Sequence, residues 1–580
     1  MRSRACTLAA LAAVMVVAAA APAGAESPSD RISDPFYKYT GATPLAQITP
    51  GTVLKTRTVP YHLADLTLPF NAVQVLYRST SMTGKPTVNV TSVVKPLDAT
   101  GPAKLIGYGS FYDSLDPRDE PSMSISGQSN PTLGGALPNV EALLVLPLLS
   151  AGYTVSIADT EGQDAAFGAG PVYGMNTLDG LRAASQAAGT GLDTSTKIGL
   201  IGYSGGAIAT GWAASMAPTY APDINARLVG ATMGGVLVMP DHNLRYLEGS
   251  TIWAGVMPMA LLGISRAFEV DLTPYMSDYG KDLFVQKQYA SIVDALFQFP
   301  GLKFSKLTKR QYPTPESVPV YAAMSNKLIL GQDYTPTAPL QMFQGAGGEA
   351  EGTLGTTPGI GPGDGVMVAG DVRSLARKYC AKGVAVEHKQ FDSLSHVGAT
   401  SPWLDASLPW LNARFAGEPA PNNCAQIAPG NPLDPLPAYV PPGTPTETTT
   451  TNETPPVTGA ADPPSAPLSA VKRAPTPEGP QVVPTTPTVV KHGKGTVRRV
   501  LVRGGKVRIT IRCTGADDAV CAVSAFVTAR RGGRTVRLGA ARGVTLRSGD
   551  QITLTIKLNA LGRKIANEHG KLKTIATNAL

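Results

Sequence analysis

Ile198–Gly206 reads Ile-Gly-Leu-Ile-Gly-Tyr-Ser-Gly-Gly, an apolar, β-prone run that ends in a Gly-x-Ser-x-Gly pentapeptide. Small residues follow, so the order predicts a strand, a tight turn and a helix, which is the setting of a nucleophile elbow. Gly202 and Gly206 suit such a turn because strand and helix pack closely there. The bare motif is common in a chain with 61 glycines, so the flanking strand and helix carry the inference. Together they predict that Ser204 is a nucleophilic serine.

The first 25 residues have the pattern of a secretory signal peptide. Arg2 and Arg4 precede an apolar run over 8–21, and Ala23-Gly24-Ala25 offers the small residues that a signal peptidase prefers. Cys6 precedes the apolar run, where a lipid-attachment cysteine would not lie. We therefore expect the chain to be secreted and released rather than anchored.

The 580 residues exceed what one core normally serves, so two or more units are expected. Residues 26–426 are predicted to form one globular unit in which strands alternate with helices, as in a largely parallel α/β sheet. The predicted strands are Val73–Arg78, Val88–Val94, Leu105–Tyr108, Thr154–Ala158, Ile198–Ile201 and Leu340–Phe343. Helical patterns cover Thr177–Ala188 and Gly206–Ser215.

The C-terminal third has a different composition. Residues 427–496 are rich in proline and threonine, which predicts an extended linker. Residues 497–580 alternate as β-strands do, which predicts a small all-β, sandwich-like domain. From Lys491 onward there are 19 Lys and Arg against 4 Asp and Glu, a net charge of +15, whereas the rest of the chain carries −7. This charge points to an anionic envelope or membrane surface as a partner, with a soluble basic domain that binds nothing as the alternative.

Four cysteines remain after the signal peptide, in two local pairs. Because the domain division separates the pairs, we expect disulfides Cys380–Cys424 and Cys513–Cys521. No Cys-x-x-Cys motif occurs and the six histidines are scattered, so no metal site is expected. Nucleic acid is also not expected as a partner, since the basic domain offers Phe526 alone for stacking on bases.

A nucleophilic serine needs a base and a carboxylate, and with this elbow they follow in the order serine, acid, histidine. His396, on a loop after a predicted strand, is favoured as the base, while His388 within the strand is interpreted as a solvated surface histidine. The acid should follow Leu340–Phe343, in a Gly-rich stretch that offers Glu349, Glu351 and then Asp364. We select Asp364, with a simple turn aspartate as the alternative, and interpret Asp371 as a first-turn charge of the next helix.

An oxyanion hole needs backbone or side-chain donors. The N–H of Gly205, directly after the nucleophile, is one expected donor, and the loop after Leu105–Tyr108 is the expected source of the other.

Over residues 33–426 the chain resembles the secretory lipase family of α/β-hydrolases, the lipase A type of yeasts and actinobacteria. The resemblance is carried by Asp34–Tyr37, Ala158–Gly162, Leu178–Ala183, the elbow with Trp212–Ala214, Leu228–Ala231, Tyr379-Cys380, His396, Arg414–Gly417 and Cys424. It implies Ser204 as nucleophile, His396 as base, Gly205 in the oxyanion hole, and Asp113 as the aspartate that lends a second oxyanion contact. It also implies an inserted helical cap over about 216–320. The extra Gly-rich stretch before Asp364 departs from the family pattern.

The resemblance implies a secreted triacylglycerol lipase that cleaves lipid esters at an oil–water interface through an acyl-enzyme, without a cofactor. Three alternatives remain open. A short-chain carboxylesterase would differ in chain-length preference, and a peptidase on the same fold would act on peptides. A cell-surface or adhesion protein with a non-catalytic hydrolase scaffold would lack a reactive serine.

Overall fold

The computed structural model describes residues 27–437, except 65, 99–100, 131 and 133, and part of the C-terminal region. In that region the backbone is described over 494–558, except 504–505, 515–519, 532–533 and 548–549, and over 574–578; side chains are described over 506–514 and 550–558. The predicted signal peptide and most of the predicted linker lie outside the described residues. The chain divides into two compact units, residues 1–449 and 450–580, which are taken separately.

The first unit is built on a nine-stranded sheet in the order β1-β2-β3-β5-β4-β6-β7-β8-β9. Strands β1 to β3 pair antiparallel, and the strands from β5 to β9 pair parallel. The strand bounds are β1 Val53–Leu63, β2 Leu66–Thr80, β3 Pro86–Val94, β4 Leu105–Gly109, β5 Thr154–Ala158, β6 Ile198–Tyr203, β7 Leu228–Gly234, β8 Leu340–Gly345 and β9 Val386–Phe391. The predicted α/β-hydrolase architecture is confirmed.

Helices cover both faces of this sheet. The α-helices are α1 Pro121–Ile125, α2 Leu137–Ser150, α3 Gly170–Gln186, α4 Gly205–Tyr220, α5 Pro222–Asn225, α6 Pro240–Leu247, α7 Val256–Phe268, α8 Asp278–Lys287, α9 Ile292–Ala295, α10 Phe304–Leu307, α11 Pro319–Asn326, α12 Ala369–Ala381 and α13 Thr400–Phe415. Short 3-10 turns lie at Pro28–Arg31, Pro35–Tyr37, Leu45–Gln47, Pro117–Asp119, Gly134–Ala136, Thr273–Tyr275, Pro315–Ser317, Gly348–Glu351 and Cys424–Gln426.

The central strands are apolar on both faces because each face is buried. In β6, Leu200 packs into the core on the side of α3 and α4, and its neighbour Ile201 packs into the core on the side of α2 and α13. Successive side chains of a strand point to opposite faces, so a doubly covered strand reads as a continuous apolar run. This is why the core strands could be predicted from sequence.

The inserted cap begins later than predicted. Leu228–Gly234 is strand β7, paired in parallel with β6 and β8, so it belongs to the sheet. The insertion therefore spans 235–339, from β7 to β8, and carries α6 to α11. The prediction of 216–320 was wrong at its start because the short apolar strand was read as part of the helical region.

The predicted disulfide between Cys380 and Cys424 is present and ties the end of α12 to the segment after α13. Residues 427–437, placed in the linker from composition, continue along the catalytic unit. The Asn431 N–H donates to the Gly370 carbonyl at 3.1 Å, and the Leu436 N–H donates to Asn326 Oδ1 at 2.7 Å.

The second unit contains two three-stranded antiparallel sheets, in the orders β10-β11-β14 and β13-β12-β15. Their strands are β10 Lys494–Arg503, β11 Lys506–Thr514, β12 Val520–Arg531, β13 Arg534–Arg547, β14 Gln551–Lys557 and β15 Thr574–Asn578. In β11, buried Val507, Ile509 and Ile511 alternate with outward-facing residues, as the sequence pattern predicts. Cys513 is disulfide-bonded, but the side chain of its predicted partner Cys521 lies outside the described residues.

Candidate active site

Ser204 lies at the turn between β6 and α4, with φ 55° and ψ −120°. The turn requires glycine on both sides. A Cβ on Gly202 would lie 2.1 Å from the Gly206 carbonyl oxygen, and a Cβ on Gly206 would lie 2.0 Å from the Gly109 carbonyl oxygen. The strained turn therefore presents the serine at the carboxyl end of the sheet, where the predicted elbow would place it.

His396 lies on the loop after β9 and contacts both other predicted members of the triad. Its Nε2 is 2.8 Å from Ser204 Oγ, and its Nδ1 is 2.8 Å from Asp364 Oδ2. The loop is fixed through its backbone: the His396 N–H donates to the Asp364 carbonyl at 2.6 Å, and the Tyr203 hydroxyl donates to the His396 carbonyl at 2.6 Å. The three side chains form one hydrogen-bonded chain in which the carboxylate orients the imidazole toward the serine.

Asp364 is fully buried, and its carboxylate is oriented by three further donors. Oδ1 accepts from the backbone N–H groups of Val366 at 2.9 Å and Met367 at 2.7 Å. Oδ2 also accepts from Gln344 Nε2 at 2.9 Å. The Gly-rich stretch after β8 thus places Asp364 at the carboxyl end of that strand, within hydrogen-bond distance of His396, as expected for the predicted acid.

The pKa of His396 lies above its ordinary value. Burial alone would lower it, but the charge of Asp364 and its hydrogen bond raise it; the charge of Glu351 adds to that effect, and so does Asp113 once it is ionised. A raised pKa suits an imidazole that must accept a proton from serine and hold it.

Asp113 and Gly205 lie side by side next to the serine. A Cβ on Gly205 would come within 1.8 Å of Asp113 Oδ1, so the carboxyl lies directly against the start of α4. Asp113 holds a left-handed φ of 34°, and its Oδ1 is buried without a hydrogen-bond partner among the described residues. Burial, followed by the nearby charge of Glu141, raises the pKa of Asp113 to about 8. A carboxyl that is neutral at pH 7 can donate a hydrogen bond.

Glu141, which sequence reasoning missed, supports the loop that carries Asp113. It is buried on α2, where it accepts from the Tyr108 hydroxyl at 3.1 Å, from the Phe111 N–H at 2.8 Å and from the Ser110 hydroxyl. Burial raises the pKa of Glu141 to about 7. The available signal was a lone carboxylate in the otherwise apolar run Leu137–Ser150, since a buried acid must have partners.

Two other predictions have different outcomes. The interpretation of His388 as a solvated surface residue was wrong: it is 7% exposed, and burial lowers its pKa to about 4. β9 is covered there by Asn423, whose side chain bonds the His388 backbone at both N–H and carbonyl, which the alternating charges of the strand did not reveal. Asp371 lies in the first turn of α12 as expected, and its carboxylate pairs with His242 Nδ1 at 2.9 Å.

An apolar pocket opens beside Ser204 and Asp113 under the cap. Its walls come from the cap insertion, the start of α4, Phe167 before α3 and the segment after Asp364, and most of the lining side chains are apolar, which suits a hydrocarbon group. The apolar lining residues include Phe167, Ile208, Leu237, Pro240, Leu244, Leu247, Trp253, Val256, Ala260, Ile264, Ile292, Val366 and Met367. Among the described residues no cluster of three or more His, Cys, Asp or Glu could hold a metal ion. In the same part of the chain no helix has the length and hydropathy to span a membrane.

The model of the family described as "Secretory lipase" matches residues 128–423, about half of the chain. The chain belongs to the secretory lipase family. Lipase 10 of Candida albicans is 28% identical over 67% of this chain and 82% of its own length. A Mycobacterium tuberculosis relative named a probable inactive lipase is 30% identical over 68% of this chain and 83% of its own length. This secretory lipase also matches the solved structure of Candida antarctica lipase A in its closed state, with a TM-score of 0.58, 24% identity, and coverage of 71% of this chain and 92% of that one.

Proposed function

We propose that this secretory lipase hydrolyses carboxylic esters of lipids, with Ser204 as nucleophile, His396 as general base and Asp364 as the orienting acid. The observation that carries the proposal is the continuous chain of hydrogen bonds, 2.8 Å at each link, from Ser204 through His396 to Asp364. It ends at an apolar pocket lined by cap residues, which suits the acyl part of a lipid ester.

In this mechanism Ser204 Oγ attacks the ester carbonyl carbon while His396 Nε2 takes its proton. The tetrahedral oxyanion would accept hydrogen bonds from the Gly205 N–H and the protonated Asp113, which lie together at the start of α4. His396 then gives the proton to the departing alcohol, leaving an acyl-serine. A water molecule, deprotonated by the same imidazole, attacks the acyl-serine, releases the fatty acid and restores the serine.

Ester hydrolysis across acyl chain lengths, with labelling by a fluorophosphonate probe, tests this function. We expect wild type to label and to hydrolyse long-chain esters and emulsified triacylglycerol, and Ser204→Ala to do neither. Asp364→Asn should lower kcat by about 10⁴-fold because the imidazole loses its orienting acceptor. Asp371→Asn is the matched control, since that carboxylate pairs with His242 and takes no part in the hydrogen bonds of Ser204, His396 and Asp364, and it should retain activity.

Each alternative has its own outcome in the same experiment. Activity confined to short soluble esters would favour a carboxylesterase, and cleavage of a peptide panel would favour a peptidase. A folded wild-type chain that neither labels nor turns over would favour a non-catalytic scaffold, the alternative that the name of the mycobacterial relative brings forward. Full activity in Ser204→Ala would refute the proposed chemistry.

We also propose that the basic second unit holds the enzyme at an anionic envelope or membrane surface. Four outward-facing cations lie on the described strands of one sheet: Lys506, Arg508 and Arg512 on β11, and Lys557 on β14. Antiparallel pairing places Lys506 opposite Lys557, so the charges share one face. Such a face attracts anionic surfaces through long-range electrostatics.

A further inference from the structure

Glu351 ends the 3-10 turn Gly348–Glu351, in the Gly-rich stretch between β8 and Asp364. Its side chain is buried and both carboxylate oxygens are used. Oε2 accepts from the indole Nε1–H of Trp253 at 2.8 Å, and Oε1 accepts from the backbone N–H of Val397 at 2.9 Å. One carboxylate thus joins a cap residue to the residue that follows His396 along the chain.

Trp253 contacts the imidazole directly. Its ring lies edge-on to His396, with ring centroids 5.5 Å apart and planes at 82°, and it also lines the apolar pocket beside Ser204. The same segment makes further links to the cap: Thr353 Oγ1 is 2.8 Å from Ser250 Oγ, and the Thr251 N–H donates to the Gly352 carbonyl at 3.1 Å. Residues 351–353 therefore connect the cap loop at 250–253 to the loop that carries the base.

We propose that Glu351 is a positioning residue of the proposed esterase reaction, which fixes the His396 loop through Val397 and holds Trp253 against the imidazole. The inference rests on the proposed function, because it assigns Glu351 a role in presenting the base. Charge-assisted hydrogen bonds of a buried carboxylate are stronger than neutral ones, so both contacts should restrict where the imidazole can lie.

The effect of the Glu351 charge on the pKa of His396 can be separated from a merely structural effect of this side chain. Three carboxyl groups face His396: Asp364 from the acid loop, Glu351 from the 3-10 turn, and Asp113 from the loop after β4; the Tyr203 hydroxyl bonds its carbonyl. Burial lowers the pKa of His396, whereas Asp364 first and then Glu351 raise it, and Asp113 raises it only when it is ionised. Removing the charge of Glu351 should therefore lower that pKa and move the acid limb of kcat/KM to lower pH.

The test uses the full chain, a soluble p-nitrophenyl ester and pH profiles of kcat and kcat/KM. Glu351→Gln should lower kcat about tenfold, leave KM nearly unchanged and shift the acid limb to lower pH. Glu349→Gln is the matched control. Glu349 lies two residues before Glu351 in the same turn, but its side chain is exposed, so this variant loses the same charge and should behave as wild type. A Glu351→Gln profile that coincides with the Glu349→Gln profile would overturn the inference.

Trp253→Phe provides a second, independent variant, which decides the question if Glu351→Gln does not fold. It removes the indole donor but keeps an aromatic ring and the Glu351 charge, so kcat should fall several-fold while the acid limb stays in place. A wild-type kcat in Trp253→Phe would contradict the proposed link. Ser204→Ala is measured in the same assays. If that variant turns over the ester, the proposed function itself is refuted. If it does not, the difference between Glu351→Gln and Glu349→Gln decides the role of Glu351.

Discussion

Asp113 holds a left-handed backbone conformation against the start of α4, with its carboxyl buried beside the serine. In the proposed mechanism it donates a hydrogen bond to the oxyanion, which a carboxyl can do only when it is protonated. The raised pKa of about 8 supplies that condition at neutral pH. Its protonation state therefore ought to appear in the pH profile.

We expect kcat/KM to rise as His396 loses its proton, above the ordinary histidine pKa, and to fall again as Asp113 ionises near pH 8. The second fall follows because an ionised Asp113 no longer donates and repels the oxyanion. Asp113→Asn keeps a donor at every pH, so it should remove the alkaline limb. Asp113→Leu keeps none and should lose about 10²–10³-fold in kcat. The rate measured with Ser204→Ala is subtracted as background hydrolysis. An alkaline limb that persists in Asp113→Asn would count against Asp113 as a donor to the oxyanion.

Single residues differed in how well the sequence located them. Ser204 could be selected because its motif includes the strand and helix on either side, and His396 because only six histidines exist and chain order excludes most of them. The structure brings both side chains together with Asp364. The sequence did not predict the supporting contacts of Glu141 and Glu351, because these contacts join segments that are far apart in sequence.

At the scale of elements, the disulfide secures the part of the fold that carries Asp364 and His396. Cys380 lies in the last turn of α12, which connects the Asp364 loop to β9 and the His396 loop, and Cys424 lies 44 residues later. A disulfide that closes a loop of this length lowers the entropy of the unfolded chain, which adds about 3–4 kcal/mol to the free energy of unfolding. Cys424 Sγ lies 3.8 Å from the Val384 carbonyl, before the start of β9, whereas His396 follows the end of that strand, so the bridge should contribute to stability rather than chemistry.

The double variant Cys380→Ala/Cys424→Ala should therefore unfold in guanidinium at a lower midpoint, corresponding to a loss of about 3–4 kcal/mol in the free energy of unfolding. Its kcat and pH profile at 25 °C should match wild type, because the hydrogen bonds of the triad do not involve α12. Equilibrium denaturation followed by tryptophan fluorescence gives the midpoint. An unchanged midpoint, or a loss of activity in a folded variant, would contradict this division between stability and chemistry.

Elements were predictable where a regular pattern met full burial. The core strands read as continuous apolar runs, whereas β7 was assigned to the cap, since seven residues between helices carry little periodicity. Likewise, 427–437 have the composition of a linker, yet they bond to α11 and α12 through backbone groups, which composition does not reveal. Backbone contacts of this kind are set by the fold around the segment and become visible only in the structure.

At the scale of the whole molecule, the charge is divided between a mildly acidic N-terminal part and a strongly basic C-terminal part. An enzyme that acts on lipid esters works at a surface, so retention at an anionic one would raise its local concentration there. Each cation near an anionic membrane contributes about 1 kcal/mol. The outward-facing cations of β11 and β14 are the side chains on which this proposal can be tested.

We expect the full chain to bind vesicles that contain anionic lipid, to bind neutral vesicles weakly, and to be released as salt rises, because screening weakens such attraction. Arg508→Glu/Arg512→Glu should weaken anionic-vesicle binding at least about tenfold. Lys309→Glu/Arg310→Glu changes the net charge equally at two exposed cap residues and should leave binding near wild type. Co-sedimentation at several salt concentrations measures all three proteins. Equal losses in the two variants would show that net charge, and not this face, governs attachment; no loss in either would leave the basic unit without the proposed role.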